Sequence, residues 1–209
     1  IDTIISTISA LSDLKPDFIS VTYGACGSEQ AHTFEIAQVI KTQYGIESLA
    51  HLTCINSKKE GIDCILEKLS KANVKNILAL RGDIPKNTGF NSTENRDFKY
   101  ARDLVEYVKE SGKFCIGGAC YPEGHIECAD IDLDLHHLKE KVNSGIDFLI
   151  TQLFFDNNFF YDFREKLGRM NISVPVSVEI MPVLNKKQIE KITTLCGASI
   201  PRKLRHILN

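Results

Sequence analysis

Six times along this chain a short apolar run breaks off into polar residues and glycine and gives way to a stretch with helical apolar spacing. The sharpest example is Asn76–Asp83, Asn-Ile-Leu-Ala-Leu-Arg-Gly-Asp. Four apolar residues in succession are the mark of a strand buried on both faces. The switch to Arg81, Gly82 and Asp83 says that the strand has left the core, and Gly82 lets the backbone turn or a ligand approach closely. Read alone, the tripeptide is equally well a solvated turn with an incidental ion pair. Its recurrence at other strand ends is what gives it meaning.

The alternation can be followed from end to end. Residues 1–14 carry apolar side chains at helical spacing until Lys15-Pro16 stops them. Strands are predicted over 18–22, 48–54, 75–80, 114–120, 148–152 and 174–180. Helices are predicted over 30–44, from Ser57 to about Ala72, and over 97–110, 131–143, 157–170, 186–196 and 201–208. Gly45 stops the second helix. Ser57 and Glu60 form a capping box for the third. A long polar connection, residues 84–96, follows Asp83, and connections of that length are functional or mobile.

Strict alternation of strand and helix predicts an α/β fold with parallel strands and right-handed crossovers. A doubly wound sheet ordinarily shows a G-x-G-x-x-G loop after its first strand, and none is present. A (β/α)8 TIM barrel needs eight strands, and six are counted. The expectation is therefore a single (β/α)-barrel domain over residues 1–209, incomplete at both ends, with its first and last strands outside this sequence.

Composition excludes some roles. A 209-residue chain can bury one sizeable core. Its net charge of −2 argues against a nucleic-acid or membrane surface held by bulk electrostatics, and no apolar run is long enough to cross a bilayer. No signal peptide is visible, although the chain begins at Ile1 rather than Met. Seven cysteines, an odd number set among apolar neighbours, fit free thiols in a reducing cytoplasm.

In a barrel the strand ends converge on one face. Those ends carry Thr22-Tyr23, His51 and Thr53, Arg81-Gly82-Asp83, Tyr121 and His125, Gln152, and Pro182-Val183. Arg81 suits a phosphate as a bidentate donor, Lys141 is a second cation within reach, and Tyr121 could stack on a ring. Cys115, Cys120, Cys128 and His125 lie close together but lack Cys-x-x-Cys spacing, so no metal is assigned. Phe154-Phe155 and Phe159-Phe160 read as packing residues.

Residues 18–25 (Phe-Ile-Ser-Val-Thr-Tyr-Gly-Ala), 51–54 (His-Leu-Thr-Cys), 78–83 (Leu-Ala-Leu-Arg-Gly-Asp), 121–125 (Tyr-Pro-Glu-Gly-His), 151–156 (Thr-Gln-Leu-Phe-Phe-Asp) and 181–183 (Met-Pro-Val) together resemble the methylenetetrahydrofolate reductase family. The resemblance runs in order through essentially the whole chain. It implies a flavin-containing (β/α)8 barrel that reduces 5,10-methylenetetrahydrofolate to 5-methyltetrahydrofolate with NAD(P)H, by ping-pong hydride transfer through FAD. It implies FAD contacts from Thr22, Tyr23, Ala25, His51, Arg81, Gly82, Asp83, Ala101, Tyr121, His125, Asp134 and Lys141. Asp83 and Gln152 are the catalytic candidates, and Asp83, Gln152 and Gln188 the substrate contacts. A homo-oligomer or a partner redox subunit is also implied.

The chain departs from the family in places. The family's general-acid Glu belongs to a first strand that has no counterpart here, and Glu29, Glu123 and Glu127 do not replace it by position. An aromatic that packs on the nicotinamide in some members aligns with Ile192. Two other readings stay open: a non-catalytic module that binds flavin or folate or docks a partner, and an unrelated barrel enzyme such as a lyase acting on a phosphorylated substrate.

Overall fold

The computed structural model describes residues 2–22, 30–55, 57–83 and 96–208. The chain divides into two compact units, Ile1–Gly117 and Gly118–Asn209. The expected parallel α/β alternation is present, with fourteen elements among the described residues. No helix among those residues is long and apolar enough to cross a membrane.

The first unit contains α1 (Asp2–Ser12), β1 (Phe18–Val21), α2 (Gln30–Gln43), β2 (Glu47–Thr53), α3 (Lys59–Lys71), β3 (Asn76–Leu80) and α4 (Ala101–Glu110). Strand β1 pairs with β2 and β2 with β3, all parallel. Strand β4 (Cys115–Cys120) begins in this unit, where Cys115 N–H donates to the Lys75 carbonyl at 2.8 Å.

Register decides what each sheet face carries. Ala50 lies opposite Ile77 and Leu52 opposite Ala79, and all four are buried to 1% or less. Helix α2 packs on β1 and β2, and α4 on β3; apolar residues such as Ala37, Ile40, Leu104 and Val108 come from those helices and are fully enclosed. The opposite face carries Ser20, Leu49, His51, Thr53, Leu78 and Leu80. Its polar members are only partly covered, and they lie toward the C-terminal ends of the strands.

The second unit continues with the end of β4, then α5 (Ile131–Asn143), β5 (Phe148–Thr151), α6 (Asn157–Arg169), β6 (Val176–Ser177), α7 (Lys186–Cys196) and α8 (Arg202–Ile207). Strand β5 pairs parallel with β6, and the strand order follows the sequence throughout. Side-chain caps start the helices: Asp130 accepts from the Asp132 and Leu133 amides, Asp156 from Asn158, and Asn185 from Gln188. Left-handed Gly197 (φ +78°) ends α7, as a glycine at that position does.

Three expectations need correction. Ser57 does not cap α3; its hydroxyl donates to the Thr53 carbonyl at 3.2 Å, and the N-cap residue is Lys58, without a side-chain cap. The Asp97 carboxylate, 38 residues away, instead accepts from the Lys59 N–H at 2.9 Å. Helix α4 starts at Ala101 rather than Asp97, because the Asp103 carboxylate accepts from the Lys99 and Tyr100 amides at 2.7 and 2.9 Å and so fixes the first turn. Strand β6 has two residues where seven were expected. It has a partner on one side only, and beyond it the Glu179 amide donates to the Thr151 hydroxyl at 3.0 Å rather than into a ladder.

Candidate functional site

In the first unit the β2–β3 pairing persists past the strands. Cys54 N–H reaches the Leu80 and Arg81 carbonyls, both at 3.2 Å, and Ile55 N–H reaches Arg81 at 2.8 Å. This holds the Arg81-Gly82-Asp83 turn against the end of β2. Gly82 has φ +88°, and a Cβ there would stand 3.1 Å from both Ile55 Cγ2 and Thr53 Cβ. Only glycine meets both demands. Arg81 Nε donates to the Gly82 carbonyl at 3.2 Å, and Asp83 is exposed. The Cys54 thiol lies between the Arg81 and Tyr100 carbonyls at 3.8 and 3.7 Å. Burial, reinforced by the Asp103 charge, pushes it up to about 12, so it is a closed thiol and not a nucleophile.

Thr22 directly follows β1, and its carbonyl accepts from the buried Thr33 hydroxyl of α2 at 3.1 Å. His51 sits on the open face of β2, where burial holds it below the usual imidazole value and hence neutral. Ala101 opens α4. Tyr23 and Ala25 lie outside the described residues.

In the second unit the ends of β4 and β5 are tied together. Gln152 N–H donates to the Cys120 carbonyl at 2.7 Å, and the Gln152 side-chain oxygen accepts from the Leu153 amide at 2.9 Å. Tyr121 and His125 meet edge to face, 4.6 Å between ring centres. The turn between them closes through Gly124 N–H to the Tyr121 carbonyl at 3.0 Å, with Gly124 at φ +86°. The Asp134 carboxylate accepts from the His125 backbone N–H at 3.1 Å, and His125 Nδ1 accepts from Glu127 N–H. Asp134 thus shapes the loop from the first turn of α5.

Lys141 turns inward and donates to the Ala119 carbonyl at 2.6 Å. Burial pulls its ammonium below the usual lysine value, while Cys120 and Asp134 act in the opposite sense. Burial pushes the Cys120 thiol up to about 12. On α7 the Gln188 side-chain oxygen is buried without a hydrogen-bond partner among the described residues, an arrangement that costs stability unless something donates to it.

Tyr121, Pro122, Glu123, Gly124, Gln152 and Leu153 line one wall of a narrow cleft that is partly open to solvent, and Cys196, Gly197 and Ala198 line the other. The Glu123 carboxylate crosses to that second wall, where both oxygens accept from the Ser199 N–H at 3.1 Å. Sequence reasoning did not find these last residues. The helix over 186–196 was legible, but nothing local told that the residues after it would face Gln152. No three His, Cys, Asp or Glu side chains come together to hold a metal ion among the described residues.

The sequence matches the family described as methylenetetrahydrofolate reductase over residues 1–209. It is 39% identical over 200 residues to the 5,10-methylenetetrahydrofolate reductase of Pectobacterium carotovorum subsp. carotovorum, covering 96% of this chain and 65% of the relative. It is 38% identical over 199 residues to the Escherichia coli (strain K12) protein of the same name, covering 95% and 65%. Methylenetetrahydrofolate reductase 1 of Schizosaccharomyces pombe is 38% identical over 190 residues, 90% of this chain and 31% of that one. This chain therefore spans just under two thirds of the bacterial relatives. Among solved structures, a 2,3-dimethylmalate lyase of the PEP mutase/isocitrate lyase superfamily superposes with TM-score 0.54 at 10% identity, covering 92% of this chain and 76% of the other. At that identity the likeness is one of backbone architecture.

Proposed function

The chain belongs to the methylenetetrahydrofolate reductase family, and from that premise we propose that it carries the FAD-dependent reduction of 5,10-methylenetetrahydrofolate to 5-methyltetrahydrofolate, with NAD(P)H as the reductant, in the cytoplasm. The observation that carries the reading is the whole-chain family match on residues that stand at the C-terminal ends of parallel strands, where such folds bind their ligands.

The residues present fit FAD. Lys141 uses one of its three donors on Ala119, and a buried ammonium gains from an anionic phosphate beside it. Arg81 is held by its own turn, a fixed cation of the kind phosphates select. Tyr121 offers an aromatic ring and the unpartnered Gln188 oxygen an acceptor. In this reading Thr22, His51, Arg81, Gly82, Asp83 and Ala101 of the first unit, and Tyr121, His125, Asp134 and Lys141 of the second, contact FAD, with Tyr23 and Ala25. FAD, when bound, supplies the hydride chemistry between the nicotinamide and the folate.

The protein's part is orientation and charge. Asp83 places a carboxylate where positive charge develops on the folate as its five-membered ring opens to the reducible iminium. Gln152, held by two backbone contacts, presents its remaining amide protons to the folate or the nicotinamide. Gln188 is the second substrate contact, its buried oxygen accepting from the ligand.

The test is an absorbance spectrum of the purified protein with added FAD, followed by the folate assay on the full-length chain. A bound-flavin band at about 450 nm and turnover are expected. A full-length protein that stays colourless refutes the reading. Asp83→Asn is expected to keep FAD and lose folate reduction, and full reduction by that variant would remove the role given to Asp83.

A further inference from the structure

The cleft beside Gln152 is too small for the ligand that the proposed function assigns to it. Its enclosed space is about 10 Å³, room for about one water molecule, against about 300–1,000 Å³ for small-molecule sites generally, and a pterin with its aromatic extension needs at least the lower part of that range. Its second wall is one short segment, Cys196–Ala198, which runs off the end of α7 and leads into Ser199. Two features hold the segment there. The Glu123 carboxylate receives the Ser199 N–H on both oxygens at 3.1 Å. Gly197 nestles so closely against Ile126 that a Cβ would come within 3.2 Å of Ile126 Cβ. Glu123 belongs to the Tyr121–Gly124 turn and Ile126 follows it, and Tyr121 shares the cleft with Gln152.

We infer that Cys196–Ser199 is a strap across the substrate cleft, latched by Glu123, which must withdraw before a folate or nicotinamide reaches Gln152. The inference rests on the proposed role of Gln152. Three properties suit the segment to this work. Its latch is one charge-assisted hydrogen bond at the surface, strong enough to bias a position and weak enough to release. Its hinge is Gly197, in a left-handed conformation natural to glycine. Its flanks are short connections rather than strands: α7 ends at Cys196 and α8 begins at Arg202.

The strap can be followed through Cys196, whose half-buried thiol lies in the wall, with exposed Cys64 as an internal reference. Peptide-resolved alkylation of the full-length chain is expected to be faster at Cys196 in Glu123→Ala, by about fivefold or more, with Cys64 unchanged, and Glu123→Gln should fall between. The association rate of 5-methyltetrahydrofolate should rise in the same order. In the unaltered protein, saturating 5-methyltetrahydrofolate should speed amide exchange at Ser199, a readout that needs no variant to fold. Unchanged Cys196 labelling in Glu123→Ala overturns the latch. Faster labelling with an unchanged association rate overturns the gate and leaves the reductase reading intact. A protein that turns over folate while ligand leaves Ser199 exchange unaltered also overturns the gate. Absence of any folate or nicotinamide binding, with labelling as expected, overturns the reductase reading and with it the strap's role as a substrate gate.

Discussion

Replacing Gly82 with alanine tests the turn that presents Arg81 and Asp83. Two penalties add. An L-residue held at φ +88° costs about 1–2 kcal/mol. The new methyl would stand 3.1 Å from Ile55 Cγ2 and Thr53 Cβ and 3.4 Å from Thr53 Cγ2; these contacts belong to the end of β2, where backbone bonds resist displacement, and such overpacking costs about 1–3 kcal/mol. The expected loss is about 2–5 kcal/mol, a fall of about 1–2.5 M in the urea midpoint for a domain of this size. Two companion variants separate the terms. Gly124→Ala has a similar φ of +86° but no neighbour closer than 3.7 Å, so it should lose only the backbone part, about 1–2 kcal/mol. Gly61→Ala, within α3 and with nothing inside 4 Å, should gain about 0.5–1 kcal/mol from helix propensity. Far-UV circular dichroism against urea reads all three. Equal losses at Gly82 and Gly124 would refute the claim that the β2 end crowds the Gly82 turn.

Three further outcomes are expected. Asp97→Ala removes the distant cap on Lys59 and should cost about 1 kcal/mol in urea melts; no change would mean that water caps α3 equally well. Thr33→Val leaves the Thr22 carbonyl without the hydroxyl that serves it and should cost about 1 kcal/mol by the same measurement, and a neutral result would show that the contact is dispensable. Burial holds His51 below the ordinary imidazole value in the folded state, so between that lowered value and about 6.5 the unfolded chain binds more protons. Its contribution to stability is present above about 6.5 and fades as pH falls through the lowered value. The drop in urea midpoint from pH 7.5 to 5.5 should therefore be smaller in His51→Gln than in the unaltered chain, and an equal drop would contradict this.

Wherever a signal is local, the chain reveals itself readily. Helices α5 and α7 run over the residues expected of them, 131–143 and 186–196, and β3 carries an unbroken apolar run because both of its faces are covered. Two of the three misreadings come from partners remote in sequence. Ser57 looks like a helix cap until Asp97 arrives from 38 residues away. Residues 174–180 have strand composition, yet composition cannot supply the neighbour that a long ladder requires. The site follows the same division. Arg81-Gly82-Asp83 and Tyr121 announce themselves by breaking apolar runs, and the inward turn of Lys141 could not be seen, since its acceptor is a backbone carbonyl on β4. The Glu123–Ser199 contact spans 76 residues and leaves no pattern at either end.

The two closed thiols carry a practical consequence. Cys54 lies in the first compact unit and Cys120 in the second, and each is held near 12 by burial, where alkylating reagents at mild pH find almost no thiolate. Modification of either then requires the surrounding structure to open, so its rate is the reagent's rate on a free thiol multiplied by an opening constant. The chain carries its own pair of stability gauges, one for each half. Native-state thiol exchange would report, with no probe added and no residue changed, whether the two units open in one cooperative event or each in its own.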